Sequence, residues 1–112
     1  GNVSVVDINQ QGNNNAATSS QNGSWSVTEV SQSGLLGNSA TTNQSGYFSR
    51  TAVVQSGFGL NNAVTSQSAD AAVIVVRQNG ASNYASSSQT ADFSYSNVNQ
   101  VGANNASYVN QN

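Results

Sequence analysis

The chain has 112 residues and a formal net charge of −2, and only 5% of its residues are charged. That length suits one small domain, and the charge gives no electrostatic case for nucleic acid. The absence of Cys excludes a disulfide framework, and no apolar run approaches the roughly 18 residues that a membrane-spanning helix needs.

Asn, Gln and Ser together make 49 residues. Composition of that kind suggests a disordered, low-complexity segment, but the spacing argues otherwise. Ten of the 11 glutamines fall on a grid with gaps of 11 or 12 residues, from Gln10 to Gln111, and only Gln11 lies off it. Disorder needs no grid, whereas a stack of near-identical rungs repeats the same residue at the same place. The chain has no Pro, which would interrupt the hydrogen bonds of such a stack.

In chain order, the first copy spans residues 4–21 and carries Ser4, Gln10, Gly12, Asn15, Ala17 and Gln21. The second spans 26–44, with Ser26, Gln32, Gly34, Asn38, Ala40 and Gln44. The third spans 49–67, with Ser49, Gln55, Gly57, Asn61, Ala63 and Gln67. The fourth, 72–89, opens on Ala72 in place of Ser and continues Gln78, Gly80, Asn83, Ala85 and Gln89. The fifth, 94–111, has Ser94, Gln100, Gly102, Asn105, Ser107 in place of Ala, and Gln111. The second and third copies hold one extra residue between Gly and Asn, where an insertion lengthens a turn without shifting either strand.

A period of 11 residues could also mark a helical supercoil. The segments are, however, rich in Ser, Asn, Thr and Val, poor helix formers, and each period contains a turn residue. From Ser to Gln the residues alternate with period two. The column Ile8, Val30, Val53, Val76, Val98 is β-branched throughout, while Asp7, Glu29, Arg50 and Arg77 fall on the opposite face. That separation puts the first face inward and the second outward. The second segment alternates likewise and sets small Ala and Ser opposite the large aliphatics. The expected fold is all-β: a cross-β solenoid of five strand–turn–strand rungs with two facing parallel sheets about 10 Å apart. Gly12, Gly34, Gly57, Gly80 and Gly102 are expected to turn the chain within each rung through positive φ. Asn22-Gly23, Ser45-Gly46, Ala69-Asp70 and Ala91-Asp92 are expected to lead to the next rung.

The inward columns are amides: Gln10, Gln32, Gln55, Gln78, Gln100; Gln21, Gln44, Gln67, Gln89, Gln111; and Asn15, Asn38, Asn61, Asn83, Asn105. An isolated buried amide costs roughly 2–7 kcal/mol. Stacked every ~4.8 Å, each amide can donate to the one on the next rung, and Asn and Gln ladders of this type stabilise cross-β structure. A register slip of one residue would break every column at once. The sequence runs from Gly1-Asn2-Val3 almost directly into Ser4 and stops at Asn112, so the expectation is of open end rungs that template another copy.

The pattern Ser-x5-Gln-x-Gly-x2-3-Asn-x-Ala-x3-Gln, five times over residues 4–111 with departures only at Ala72 and Ser107, resembles the curlin repeat. The resemblance implies a subunit of curli, the functional amyloid of bacterial biofilm matrices, closer to the major subunit than to the minor, nucleating one because the last repeat holds no Lys or Arg. It further implies export to the periplasm, a periplasmic chaperone, exit through an outer-membrane secretion pore, and homopolymerisation on a nucleator subunit outside the cell. The runner-up readings are the nucleating subunit itself, an ice-binding solenoid and a rigid adhesin stalk.

Catalysis, a cofactor and a metal site find no support in the sequence, which has no His and no Cys. Asp70 and Asp92 occupy equivalent turn positions; a weak Ca²⁺ contact is conceivable, but a turn former is the simpler reading. Trp25, Phe48 and Phe93 each precede the first residue of a repeat, where they either cover a corner of the core or form a sticky stripe. Asp7 and Glu29 share an outward column, where like charges one rung apart repel. They are an ordinary solubilising surface or gatekeepers that slow premature assembly. If they are gatekeepers, Asp7→Asn/Glu29→Gln shortens the lag of thioflavin-monitored assembly; an unchanged or longer lag removes that role.

Overall fold

The computed structural model describes residues 3–112; the opening Gly1-Asn2 of the end-rung expectation lies outside the described residues. Ten strands follow one another: β1 (Ser4–Gly12), β2 (Ala16–Gln21), β3 (Ser26–Gly34), β4 (Ser39–Gln44), β5 (Arg50–Gly59), β6 (Asn62–Gln67), β7 (Val73–Ala81), β8 (Tyr84–Gln89), β9 (Tyr95–Ala103) and β10 (Ala106–Gln111). Odd strands form one five-stranded sheet in the order β1-β3-β5-β7-β9, and even strands form the other. Each odd–even pair is one rung, and the fold is an all-β solenoid of five rungs with two parallel sheets.

Equal side-chain needs at equal places fix the register. Ile8 pairs with Val30, Gln10 with Gln32 and Asp7 with Glu29; Val30 then pairs with Val53 and Gln32 with Gln55. In the even sheet Ala40 pairs with Ala63 and Gln44 with Gln67. The extra residue of the third copy is absorbed as a bulge between Ser56 and Gly59.

The core lies between the sheets. Val30, Val53, Ile74, Val76 and Val98 meet Ala40, Ala63 and Ala85, with Ala17 and Val109 packed against them. Alanine opposite a β-branched residue lets the sheets approach closely, and the molecule is correspondingly flat, with extents of 39 × 26 × 13 Å. Arg50 and Glu29 stay on the outer face, where they form an exposed ion pair of 2.9 Å, a geometry that contributes at most about 1 kcal/mol.

The turns depart from the sequence expectation. The glycines Gly12, Gly34, Gly57, Gly80 and Gly102 lie inside the odd strands or close them, and do not form the reversal. Four of them, Gly12, Gly57, Gly80 and Gly102, take the expected positive φ, and Gly34 does not. The reversal instead passes through positive φ at Asn14, Gly37, Leu60, Ser82 and Asn104. Close approach is the further demand on the strand glycines: a Cβ on Gly80 would lie 1.8 Å from the carbonyl oxygen of Gly102 on the next rung. In the connections between rungs the positive φ falls on Trp25, Phe48, Ala71 and Phe93 and not on Gly23 or Gly46. A left-handed conformation costs an L-residue roughly 1–2 kcal/mol, so backbone stacking dictates these φ values against local preference. The Phe48 N–H, for example, donates to the Ser24 carbonyl at 3.1 Å.

The hydroxyls of Ser19, Thr42 and Thr65 are buried without a hydrogen-bond partner among the described residues. They form one column, which continues through Ser87 to an apolar Val109. A buried unsatisfied hydroxyl costs about 1–3 kcal/mol. Thr65→Val is therefore expected to raise stability by about 1 kcal/mol, read as a higher Tm in calorimetry; a lower Tm would mean that the hydroxyl has a partner.

Candidate functional site: the amide columns and the end rungs

Within the stack the two glutamine columns are continuous. Gln10 Nε2 donates to Gln32 Oε1 at 2.7 Å, Gln32 to Gln55 at 2.7 Å, Gln55 to Gln78 at 2.7 Å and Gln78 to Gln100 at 2.8 Å. In the other column Gln21 donates to Gln44 at 2.8 Å, Gln44 to Gln67 at 2.8 Å, Gln67 to Gln89 at 3.0 Å and Gln89 to Gln111 at 2.6 Å. Every one of these bonds runs from a rung to the next higher one.

The direction is not arbitrary, because the second N–H of most amides is tied to a backbone carbonyl. Gln32, Gln55, Gln78 and Gln100 donate to the carbonyls of Ala16, Ser39, Asn62 and Tyr84 at 2.9–3.1 Å. Gln21, Gln44, Gln67 and Gln111 donate to those of Val5, Val27, Arg50 and Tyr95. Flipping Gln32, Gln44, Gln55, Gln67 or Gln78 would set its oxygen against a carbonyl oxygen and break its bonds to both neighbouring rungs. Threonine reinforces the same direction: Gln21 donates to Thr28 Oγ1 at 2.8 Å, and Thr28 donates onward to Gln44 Oε1 at 2.7 Å.

The asparagine column differs from the expected amide-to-amide ladder, which appears only between Asn61 Nδ2 and Asn38 Oδ1 at 3.1 Å. A shorter side chain next to the turn reaches backbone first. Oδ1 of Asn15, Asn38, Asn61 and Asn83 accepts the backbone N–H of the Asn one rung above. The Nδ2 groups reach back to the end of the preceding strand, as in Asn15 to the Gln11 carbonyl at 2.8 Å and Asn105 to the Val101 carbonyl at 3.0 Å. These asparagines therefore staple each turn to the next.

The end rungs differ from the interior. Val53, on the middle rung, is fully buried, whereas Ile8 in the same column is 41% exposed on the first. Gln100 and Gln111 each spend one N–H on a backbone carbonyl and, following their columns, direct the other along the axis. On the first rung Gln10 and Gln21 act only as donors among the described residues, so their Oε1 atoms face the opposite end as acceptors.

Other candidates resolve simply. Asp70 Oδ1 accepts the Tyr47 N–H and Asp92 Oδ1 accepts the Asp70 N–H, both at 2.9 Å, so these side chains cap turns between rungs. Glu29 is engaged by Arg50, which leaves Asp7 as the charge of its column without an ion pair among the described residues. Trp25 and Phe48 stack on each other at 6.3 Å, yet Trp25, Phe48 and Phe93 are 53%, 66% and 84% exposed. They do not cover the corner of the core, because the positive φ directs them outward. Thr28, Thr51, Thr42 and Thr65 are buried and cannot present an ice-matching plane.

No family model matches this sequence, and no curated protein matches it.

Removing one interior amide breaks two ladder bonds and strands two neighbours in a dry core. Gln55→Ala is expected to destabilise the fold by about 3 kcal/mol. Gln11→Ala, at the exposed off-grid glutamine, should stay within about 0.5 kcal/mol. Urea unfolding of both variants checks the difference, and equal midpoints would dissolve the assignment.

Proposed function

We propose that this chain is a structural subunit that polymerises head-to-tail into an extracellular, curli-type amyloid fibre of a bacterial biofilm matrix. One observation carries the proposal: both glutamine columns donate toward the fifth rung while the asparagine turns donate toward the first, so each end rung offers what the other accepts. Stacked on a second copy, Gln100 and Gln111 donate to Gln10 and Gln21, and the Asn105 side chain accepts the Asn15 backbone N–H. The same contact covers Ile8 and Val6, which are 41% and 47% exposed on the first rung. The joint repeats the chemistry of every internal joint, so the polymer is one long solenoid.

The repeat motif supports the more specific role. Five near-identical copies, with no cation in the last, fit the major subunit of a curli fibre better than its nucleator. By the same resemblance the partners are a nucleating subunit, a periplasmic chaperone and an outer-membrane secretion pore. The role is scaffolding and adhesion, with no catalytic step.

Incubation of the purified chain at ~100 μM should give thioflavin-positive fibres with a meridional reflection near 4.8 Å and a lag abolished by preformed seeds. Gln100→Leu/Gln111→Leu, which removes two seam bonds of about 1 kcal/mol each, should raise the critical concentration about 30-fold. A monodisperse solution after several days, or an unchanged critical concentration in that variant, would overturn the proposal.

A further inference from the structure

The exposed apolar groups of the Gly-turn edge are concentrated on two rungs. The turns of the second and third rungs hold three residues between Gly and Asn, Leu35-Leu36-Gly37 and Phe58-Gly59-Leu60, where the other rungs hold two. The shorter turns read Asn13-Asn14, Ala81-Ser82 and Ala103-Asn104. Each lengthened turn thus adds large apolar side chains where its neighbours are small or polar. Leu35, Leu36, Phe58 and Leu60 are between 57% and 66% exposed. The two turns are held side by side by the Leu36 N–H on the Phe58 carbonyl at 2.9 Å. They border two shallow hollows, one between Leu36 and Leu60 and one between Leu35 and Phe58.

Two further observations mark this edge. Leu60 holds φ 61°, at a position that the small or polar Asn14, Gly37, Ser82 and Asn104 fill on other rungs. A branched apolar residue is a poor choice for that backbone, so turn geometry does not explain it. The edge is also free of charge. Asp7, Glu29, Arg50 and Arg77 lie on the outer face of the odd sheet, and Asp70 and Asp92 lie in the connections at the far edge. Trp25 and Phe48, at that far edge, already stack on each other.

We infer that this apolar turn edge is a contact surface for the same edge of a second copy, and that it joins fibres laterally in pairs. The partner is another copy because the surface is self-complementary. A two-fold axis along the stack sets second rung against second and third against third, keeps both polarities equal and buries no charge. Size explains why the contact belongs to the polymer. A patch of a few hundred Å² falls short of the ~800 Å² per partner that a stable complex buries. In a fibre the patch recurs at every subunit, every ~24 Å for five rungs, and many weak contacts on one rigid body act together. The inference rests on the polymer proposed above.

The test is mass per length, measured by dark-field scanning transmission electron microscopy on fibres of the whole chain. Wild-type fibres should show two subunits per ~24 Å. Leu35→Ser/Phe58→Ser/Leu60→Asn should show one, a twofold loss, with the same 4.8 Å reflection; Asn suits the positive φ at position 60. Trp25→Ser/Phe48→Asn, at the opposite edge, should keep two. Single wild-type fibres, paired turn-edge variants, or single far-edge variants would each overturn the lateral assignment while leaving axial polymerisation intact. A wild-type chain that forms no fibre would overturn the polymer and this contact together.

Discussion

A primary amide has two N–H groups, and this fold assigns them different tasks. One holds a backbone carbonyl; the other reaches the next amide along the stack. That division makes a buried glutamine tolerable where a single unpaired amide would cost several kcal/mol. It also locks register, since a displaced rung would lose both partners of every column. The apolar core is thin, one or two β-branched residues on each odd strand against an alanine on most even strands, and it gains specificity from the polar columns that flank it.

Much of this architecture is legible in the sequence because a parallel in-register stack repeats its demands at a constant interval. The interval of 22 or 23 residues gives the strand pairing directly, and the alternation around Val30 and Val53 gives the inward face. The charged residues, kept to one side of the odd strands or to the connections, agree with both.

What stayed illegible is local conformation. Positive φ is legible at Gly12, Gly57, Gly80 and Gly102, which adopt it, but not at Leu60, Trp25 and Phe48, which adopt it as well, nor is its absence at Gly34. Propensity fails there because backbone bonds between rungs impose one path on every copy, whatever side chain a copy carries. The same constraint throws Trp25 and Phe93 outward, where their hydrophobicity alone suggests a covered corner. Spacing also could not separate the asparagines from the glutamines. Both recur with the same period, but one methylene decides whether the amide meets its neighbour or the backbone. Nor does any periodicity reveal the sense in which the amides point, which depends on where the facing carbonyls lie.

That common sense of orientation has an electrical consequence. Strand peptide dipoles alternate and largely cancel, but the glutamine side chains add head to tail, as peptide units do in a helix. The two glutamine columns therefore contribute a permanent moment along the stack, with partial positive character where Gln100 and Gln111 sit and partial negative character beside Gln10 and Gln21. Each column thus ends in a donor on one side and an acceptor on the other, even though both ends are glutamine.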